Sequence, residues 1–530
     1  MTTRLWSRAR LGAVLFLLMG CGDRSGDWDT QFQSGGTVGL ASSVAVVDQS
    51  LHRVVFLSAP RDLDLRAHYV PVGRDVTRVQ ASKDGTQLFV LSRGVSPRRH
   101  PDDEKPRFTV IESSAGEPHV VRDDELAQAL SGLVVDDQGE WAVIYDSGAS
   151  SGAYVTNPNE LILVDLTTVG EPVAVSLDSK GGRPQRLSFT RPLLMPDGSE
   201  RRFLLVQREH DVALVDLLDL DHHVTVGSPE NEAGREAAPA EVVYYPGDGE
   251  NNAQFAVRFS DDTSVGVLEL HAPESGEEDR IFSVSYNLVD VGGAASSIEY
   301  VHTDGGVRLA AVVPATSSAQ LVDTVTSNVT EVDFDYAFSG IKLVTDDIAN
   351  RPESGDVALL FSNRATAVGF WALGKTADQA YRSLDTQEIG VAVDEVFDVP
   401  GSAYSAYKIL KSGQGTSFFV LDLDGRRSFP MLALSSAEIS VALDGQRVWA
   451  YEAAGTELAR VTFDDLHPVS LSTERDISGV FDIAREDGGR AVVALHATSG
   501  GGIGATVFDA LDPDTAHSRF YSGFEFGEVK

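Results

Sequence analysis

A tight turn, most often Asp-Gly, recurs through this chain with an apolar strand directly after it, and this recurrence restricts the possible fold more than any other feature. Gly85, Gly139, Gly198, Gly249, Gly305, Gly355, Gly401, Gly445 and Gly488 fall at intervals of 43 to 59 residues. They precede, in order, QLFVL, WAVIY, FLLV, FAVRF, RLAAVV, VALLF, YKIL, RVWAY and AVVAL. Asp-Gly between alternating apolar runs is a strong hairpin signal, because glycine tolerates the positive φ that a tight turn between twisted strands requires. A third strand recurs at the same interval and closes on an acid: Glu112, Asp165, Asp216, Glu269, Asp323 and Asp422, with fainter copies ending near Phe463 and at Asp509. A fourth, more variable strand follows, as in VAVSL (173–177) and HHVTV (222–226).

The unit is therefore a four-stranded antiparallel meander of about fifty residues, the period of a propeller blade. One meander has two apolar faces and cannot cover both alone. Radial stacking buries each face against a neighbour and leaves only short edges exposed. The expected fold is all-β: a single large β-propeller of about 8–10 four-stranded blades over residues 37–530. Nine units run from Val76 onward. Ahead of them lie only three strands, SVAVVD (43–48), RVVFLS (53–58) and a stretch around 68–72, so a C-terminal strand at 524–529 is expected to complete that blade and clasp the ring. Two smaller tandem propellers are the alternative, although no Pro/Gly-rich linker divides the chain. Helical periodicity is confined to 123–129 and 375–381.

The segment ASKDGTQLFVLSRG (81–94) resembles the repeat of bacterial surface-layer-type propellers, in which S-x-D-G-x-x-L-Y-V is followed by V-x-V-I-D. The likeness is good in the first two units and decays along the chain. It implies the fold and leaves function open.

The first twenty residues read as a leader. Arg4, Arg8 and Arg10 form a basic region before the apolar run LGAVLFLLM, which is too short to span a bilayer and suits a signal peptide. The run closes in Leu18-Met19-Gly20-Cys21, which resembles the lipobox of bacterial lipoprotein precursors. The resemblance implies cleavage before Cys21 and acylation of its thiol and amine, an anchor of several chains that holds durably where one chain is marginal. Cys21 is the only cysteine in the protein, so disulfides, thiolate zinc sites and cysteine nucleophiles are excluded from the folded body. Residues 21–36 (CGDRSGDWDTQFQSGG) read as a flexible tether. Gly22, where the enteric inner-membrane retention rule has Asp, favours the outer membrane over the inner.

Formal charge is −36, and cleavage of the leader makes it three units more negative. Such a field repels nucleic acid, which is excluded as a partner. The acid is spread over turns and strand ends, the pattern of a solvated surface.

Local motifs do not assemble a catalytic site. Gly148-Ala149-Ser150-Ser151-Gly152 fits G-x-S-x-G, but a nucleophile elbow requires a helix next and here a strand follows. Ser405-Ala406-Tyr407-Lys408 and Lys411-Ser412-Gly413 imitate acyl-enzyme motifs on one strand and its turn. Asp219, Asp221, His222 and His223 read as a polar turn, since successive strand residues face opposite ways. Asp422-Leu423-Asp424-Gly425 is half of a calcium loop, without the third acid and the distal Glu. No metal or cofactor is expected. Trp141, Trp371 and Trp449 are expected to pack between blades.

Two long loops, 93–107 and 147–159, join second to third strands in adjacent units and fall on one rim. Loops of this length in a compact domain are functional or disordered. Arg98, Arg99, His100, Asp102, Asp103, Tyr154 and Asn157 are the candidate binding residues. The leading expectation is a membrane-anchored envelope lipoprotein whose propeller binds a protein or glycan without catalysis. The alternatives are a lactonase- or lyase-like enzyme with a site in the central channel, and an outer-membrane assembly factor.

Overall fold

The computed structural model describes residues 32–522 apart from 114–116, 149–154, 231–235, 274–281, 304, 345–355, 374–383, 401–403, 413–416, 434–436 and 498–501. Ten four-stranded antiparallel sheets follow one another, every one a meander paired in chain order. Blade 1 comprises β1 (Ser34–Gly39), β2 (Ser43–Asp48), β3 (Arg53–Ser58) and β4 (Arg66–Pro71); blade 2 comprises β5 (Val76–Ala81), β6 (Gln87–Ser92), β7 (Arg107–Glu112) and β8 (His119–Glu125). Blades 3 to 10 occupy residues 132–176, 184–227, 239–290, 297–333, 340–388, 393–433, 437–472 and 477–521. The single large ring is thus the fold, with ten blades, and the tandem arrangement is excluded.

Alternation along each strand explains the ring. In β6, Leu88 and Val90 pack with Leu40, Val47, Phe56 and Val70 of blade 1. The intervening Phe89 and Leu91 pack with Leu133, Ala142, Ile144 and Val164 of blade 3. The same division recurs at every seam, so each blade lends one face to each neighbour. Each fully buried Val, Leu or Phe contributes about 1.5–3 kcal/mol through water exclusion. Trp371 and Trp449 are fully buried in the seams of blades 6/7 and 9/10, and the partly buried Trp141 packs at the seam of blades 3/4. All three tryptophans lie between blades, as expected.

The closing seam corrects the expected clasp. Ser34–Gly39 lies partly within the stretch read as tether and supplies the missing first strand of blade 1, so four strands are complete without a borrowed one. Its glycines hid it: SGGTVG has almost no apolar alternation. Residues 524–529 lie outside the described residues. Blade 10 instead packs flat on blade 1, with Ile483, Val493, Leu495 and Val507 against Val44, Val55, Leu57 and Ala67. The Tyr521 hydroxyl fastens the outer edge, accepting from Leu65 N at 3.1 Å and donating to Leu63 O at 2.9 Å. At the inner edge, Ala484 N donates to Ala41 O. Of the two helical candidates, 123–129 forms no helix, its first three residues ending β8 and the rest being loop, and 375–381 lies outside the described residues.

The turn glycines meet two constraints at once. Gly85 has φ 68° and Gly445 φ 68°, the left-handed region that favours glycine. A Cβ on Gly445 would lie 1.9 Å from Pro400 O of blade 8, and one on Gly85 would lie 2.6 Å from Ala41 N and 2.5 Å from Leu443 Cδ1 of blade 9. The first–second turns of blades 9 and 2 therefore meet across the channel mouth.

If ring closure rests on this side-by-side seam, Tyr521→Phe orphans the buried Leu65 N–H and destabilises the protein by about 1–3 kcal/mol. Truncation after Ser522 costs less than that substitution. Urea unfolding of both variants checks the order, and the reverse order restores the clasp.

Candidate functional site

Because every blade is a meander, its first–second and third–fourth turns lie on one rim, and its second–third turn and inter-blade loop lie on the other. Both long loops fall on the second rim in adjacent blades, as the repeat register requires. The first, between β6 and β7, folds back on itself. Asp103 accepts from the main-chain N–H groups of Arg99 at 2.6 Å and His100 at 2.8 Å, and these hydrogen bonds hold its carboxyl below the usual carboxylate range. Arg98 donates to Pro101 O at 2.9 Å. Glu104 receives Arg74 N at 2.9 Å, Lys105 pairs with Glu125, and Arg93 pairs with Asp75 at 3.3 Å. Asp103 is half-buried, whereas Arg98, Arg99, His100 and Asp102 stand exposed at the tip.

In the second loop Tyr154 lies outside the described residues. Asn157 caps its own turn, accepting from Asn159 N at 3.1 Å and donating to Ser176 Oγ at 3.3 Å. Gln128, in the loop leading into blade 3, accepts from Thr156 N at 3.0 Å and Asn157 N at 3.3 Å. The structure thus places Arg98, Arg99, His100, Asp102, Asp103 and Asn157 on one rim, with Asp103 and Asn157 serving their own loops. Cys21 lies outside the described residues.

The other motifs resolve into turn chemistry. Asp165, Asp216, Asp323, Asp422 and Asp509, which end or directly follow third strands, each accept main-chain N–H groups two or three residues on. This is the Asx turn that Asp makes readily. Asp422 and Asp424 therefore belong to a capped turn and not to a calcium loop. His222 Nδ1 lies 2.6 Å from Asp219 Oδ2 inside another such turn, and His223 opens the fourth strand. Lys408 lies on a strand with its Nζ paired to Asp398, which also binds Lys342 of blade 7 at 2.9 Å; these ammonium groups hold the Asp398 carboxyl low against its burial. Ala149–Gly152 lie outside the described residues, and the chain beyond them enters the strand Glu160–Asp165.

Buried charge is concentrated at the seams, and reading by local motif missed it. Asp482 of blade 10 is fully buried and accepts from Arg447 Nε at 2.8 Å, Trp449 Nε1 at 3.1 Å and Arg490 Nε at 2.6 Å. The fully buried Arg208 grips Asp211, whose carboxyl is nonetheless raised because burial outweighs the guanidinium. Arg202 of blade 4 pairs with Asp136 and Glu140 of blade 3. His302 of blade 6 directs both its main-chain N–H, at 2.6 Å, and Nδ1, at 3.1 Å, to the buried Asp356 of blade 7. Its Nε2 is buried with no hydrogen-bond partner among the described residues. Each set draws on elements distant in sequence or on separate strands, so no short motif announces it. Among the described residues, no group of three or more His, Cys, Asp or Glu side chains could hold a metal ion.

No family model matches this chain, and no curated protein matches it. Solved structures similar to it include dihydro-heme d1 dehydrogenase NirN in complex with DHE, at 13% identity over 72% of this chain and 74% of that one, with a TM-score of 0.40. A eukaryotic initiation factor matches at 10% identity over 83% and 88%, TM-score 0.39. The β-propeller domain of Myceliophteria thermophila Swd1 matches at 14% identity over 65% and 97%, TM-score 0.35. Likenesses this distant carry no activity over to this chain, and the propeller assignment stands on the strand pairings above.

Two measurements check the electrostatics. Asp482→Asn removes the fully buried carboxylate and leaves Arg447 and Arg490 only the partly exposed Asp444 as counter-charge, at 2.8 and 3.4 Å. It is expected to cost about 2–4 kcal/mol in urea unfolding, short of the cost of a wholly unpaired buried charge. His496 is fully buried, donates from Nδ1 to Asp476 O at 3.0 Å and accepts at Nε2 from Thr506 Oγ1 at 2.8 Å; burial pushes its pKa down. The unfolded imidazole titrates near 6.5, so it binds a proton that the folded one refuses. Stability is therefore full above that pH and declines below it, by up to about 1.4 kcal/mol per pH unit, until the folded ring itself protonates. His496→Gln should flatten the slope between pH 6.5 and 5, read from unfolding midpoints.

Proposed function

We propose that this chain is a lipid-anchored protein of the bacterial cell envelope whose propeller is a non-catalytic binding or scaffold module. The observation that carries the reading is the lipobox Leu18–Cys21 behind a basic and apolar leader, with the one cysteine of the chain at the acylated position. Among the described residues no helix is long and apolar enough to cross a membrane; on this reading the acyl chains on Cys21 are the means of attachment. A scaffold role is supported by where the charged side chains go. Asp482, Asp398 and Arg202 are engaged across seams, Arg208 in bracing its own hairpin with Asp211, and the acids at the ends of third strands in capping turns. The exposed tip of the β6–β7 loop presents Arg98, Arg99 and His100 on a rigid ring, the usual division between constant scaffold and variable loop.

One observation favours the enzyme reading. A histidine oriented by a buried carboxylate, as His302 is by Asp356, is the arrangement of a general base. Its occluded Nε2 gives a substrate no approach as placed, which keeps this reading second.

The full-length precursor should yield a membrane-bound product whose N-terminal peptide carries acyl mass, and Cys21→Ser should release it to the soluble fraction. An unacylated, soluble wild-type product would overturn the anchor. Affinity purification from detergent-solubilised membranes should recover a protein or glycan with the wild type and with His302→Asn alike. Loss of the partner from His302→Asn, or no partner from either, counts against the scaffold reading.

A further inference from the structure

The two rims differ in charge, and Asp-capped turns, which occur on both but more often on one, contribute to the difference. First–second and third–fourth turns share a rim, and both are Asp-capped. Asp84, Asp197, Asp248, Asp444 and Asp487 accept from N–H groups of the former, and Asp165, Asp216, Asp323, Asp422 and Asp509 from those of the latter. Among the described residues, the loops of this rim carry 24 Asp and Glu against 7 Lys and Arg. The loops of the opposite rim carry 14 against 9, including Arg93, Arg98, Arg99 and Lys105 in one excursion. The net is −17 on one side and −5 on the other.

Chain direction adds a second, independent polarity. β1 pairs Ser34 with Asp48 at its start, and Gln49 N donates to Gln33 O at 2.8 Å, so the chain joins the ring on the less acidic rim. β1 neighbours the first strands of blades 2 and 10, which places that junction at the channel mouth. Twelve residues separate Cys21 from Gln33, a span of at most about 43 Å when fully extended. From this rim that length is slack. From the far rim it would first have to traverse the ring's thickness, about 20 Å for a six-residue strand, before reaching lipid.

We propose that the ring lies on the bilayer with the rim of second–third turns and inter-blade loops toward the lipid and the acidic rim away from it. The proposal rests on the lipid-anchor reading and adds an orientation to it. Anionic head groups repel the strongly acidic rim within a Debye length of about 8–10 Å and repel the less acidic one, with its cluster of Arg93, Arg98, Arg99 and Lys105, far less. Arg98, Arg99 and His100 then face the head-group layer, where the loop tip is open to lipid and to a partner held at the membrane surface.

Single cysteines at two exposed sites of blade 6 test this: Ala315→Cys on the second–third turn and Val325→Cys on the third–fourth turn. The acylated Cys21 leaves each introduced thiol as the one labelling site. The lipidated protein is labelled with a donor dye and reconstituted into vesicles of phosphatidylethanolamine and phosphatidylglycerol bearing a head-group acceptor. Energy transfer from position 315 at least twofold greater than from 325 is the expected result. Equal or reversed transfer, in protein that floats with vesicles and carries acyl mass, overturns the orientation and leaves the anchor standing. Protein without acyl mass that fails to float overturns the anchor and the orientation together.

Discussion

Every blade of this protein has two apolar faces and no means of covering either by itself. Strand geometry sends alternate side chains to opposite faces, so Leu88 and Val90 of one strand seek one neighbour while Phe89 and Leu91 seek the other. A linear stack would leave its terminal faces wet, and there is no polar cap in the pattern to protect them. Closure into a ring removes both ends at once. The seam between blades 10 and 1 is built from the same Val, Leu and Ala packing as the other nine, without strand exchange among the described residues, and Tyr521 adds hydrogen bonds at its outer edge.

Polar groups follow from that apolar plan. The turns that make a meander must satisfy main-chain N–H groups, and Asp does so from its own side chain. The greater frequency of this local device on one rim contributes to a charge asymmetry of the whole molecule. Buried ion pairs serve the seams in the same spirit: Arg202 joins blade 4 to blade 3, and Asp482 binds Arg447 across blades 9 and 10. Removing one partner of such a set is far costlier than its net contribution, because the survivor stays desolvated.

The rim residues singled out from loop length alone fall into two kinds. Asp103 and Asn157 are consumed by their own turns, a role their residue types favour wherever a loop reverses. Arg99 and His100 project from the braced loop, and Arg98 does so while also donating to Pro101 O. Loop length and strand register together put both excursions on one rim. They could not separate the capping residues from the projecting ones, because that depends on where the backbone N–H groups point.

The strand–turn–strand unit, its period and the acids at its turns were determined by sequence alone, since they rest on alternation and on turn chemistry that act within a few residues. Blade 1 escaped in part because Ser34–Gly39 is a strand by virtue of pairing with Ser43–Asp48 and not by its own pattern. Ten blades in one ring, the flat closing seam, the His302–Asp356 pair and the Asp482 cluster were decided only by tertiary structure. Each joins residues from separate strands or blades, and the angle at which one sheet meets the next is set by the packed volumes of both faces, a sum over the seam that no single stretch of chain contains.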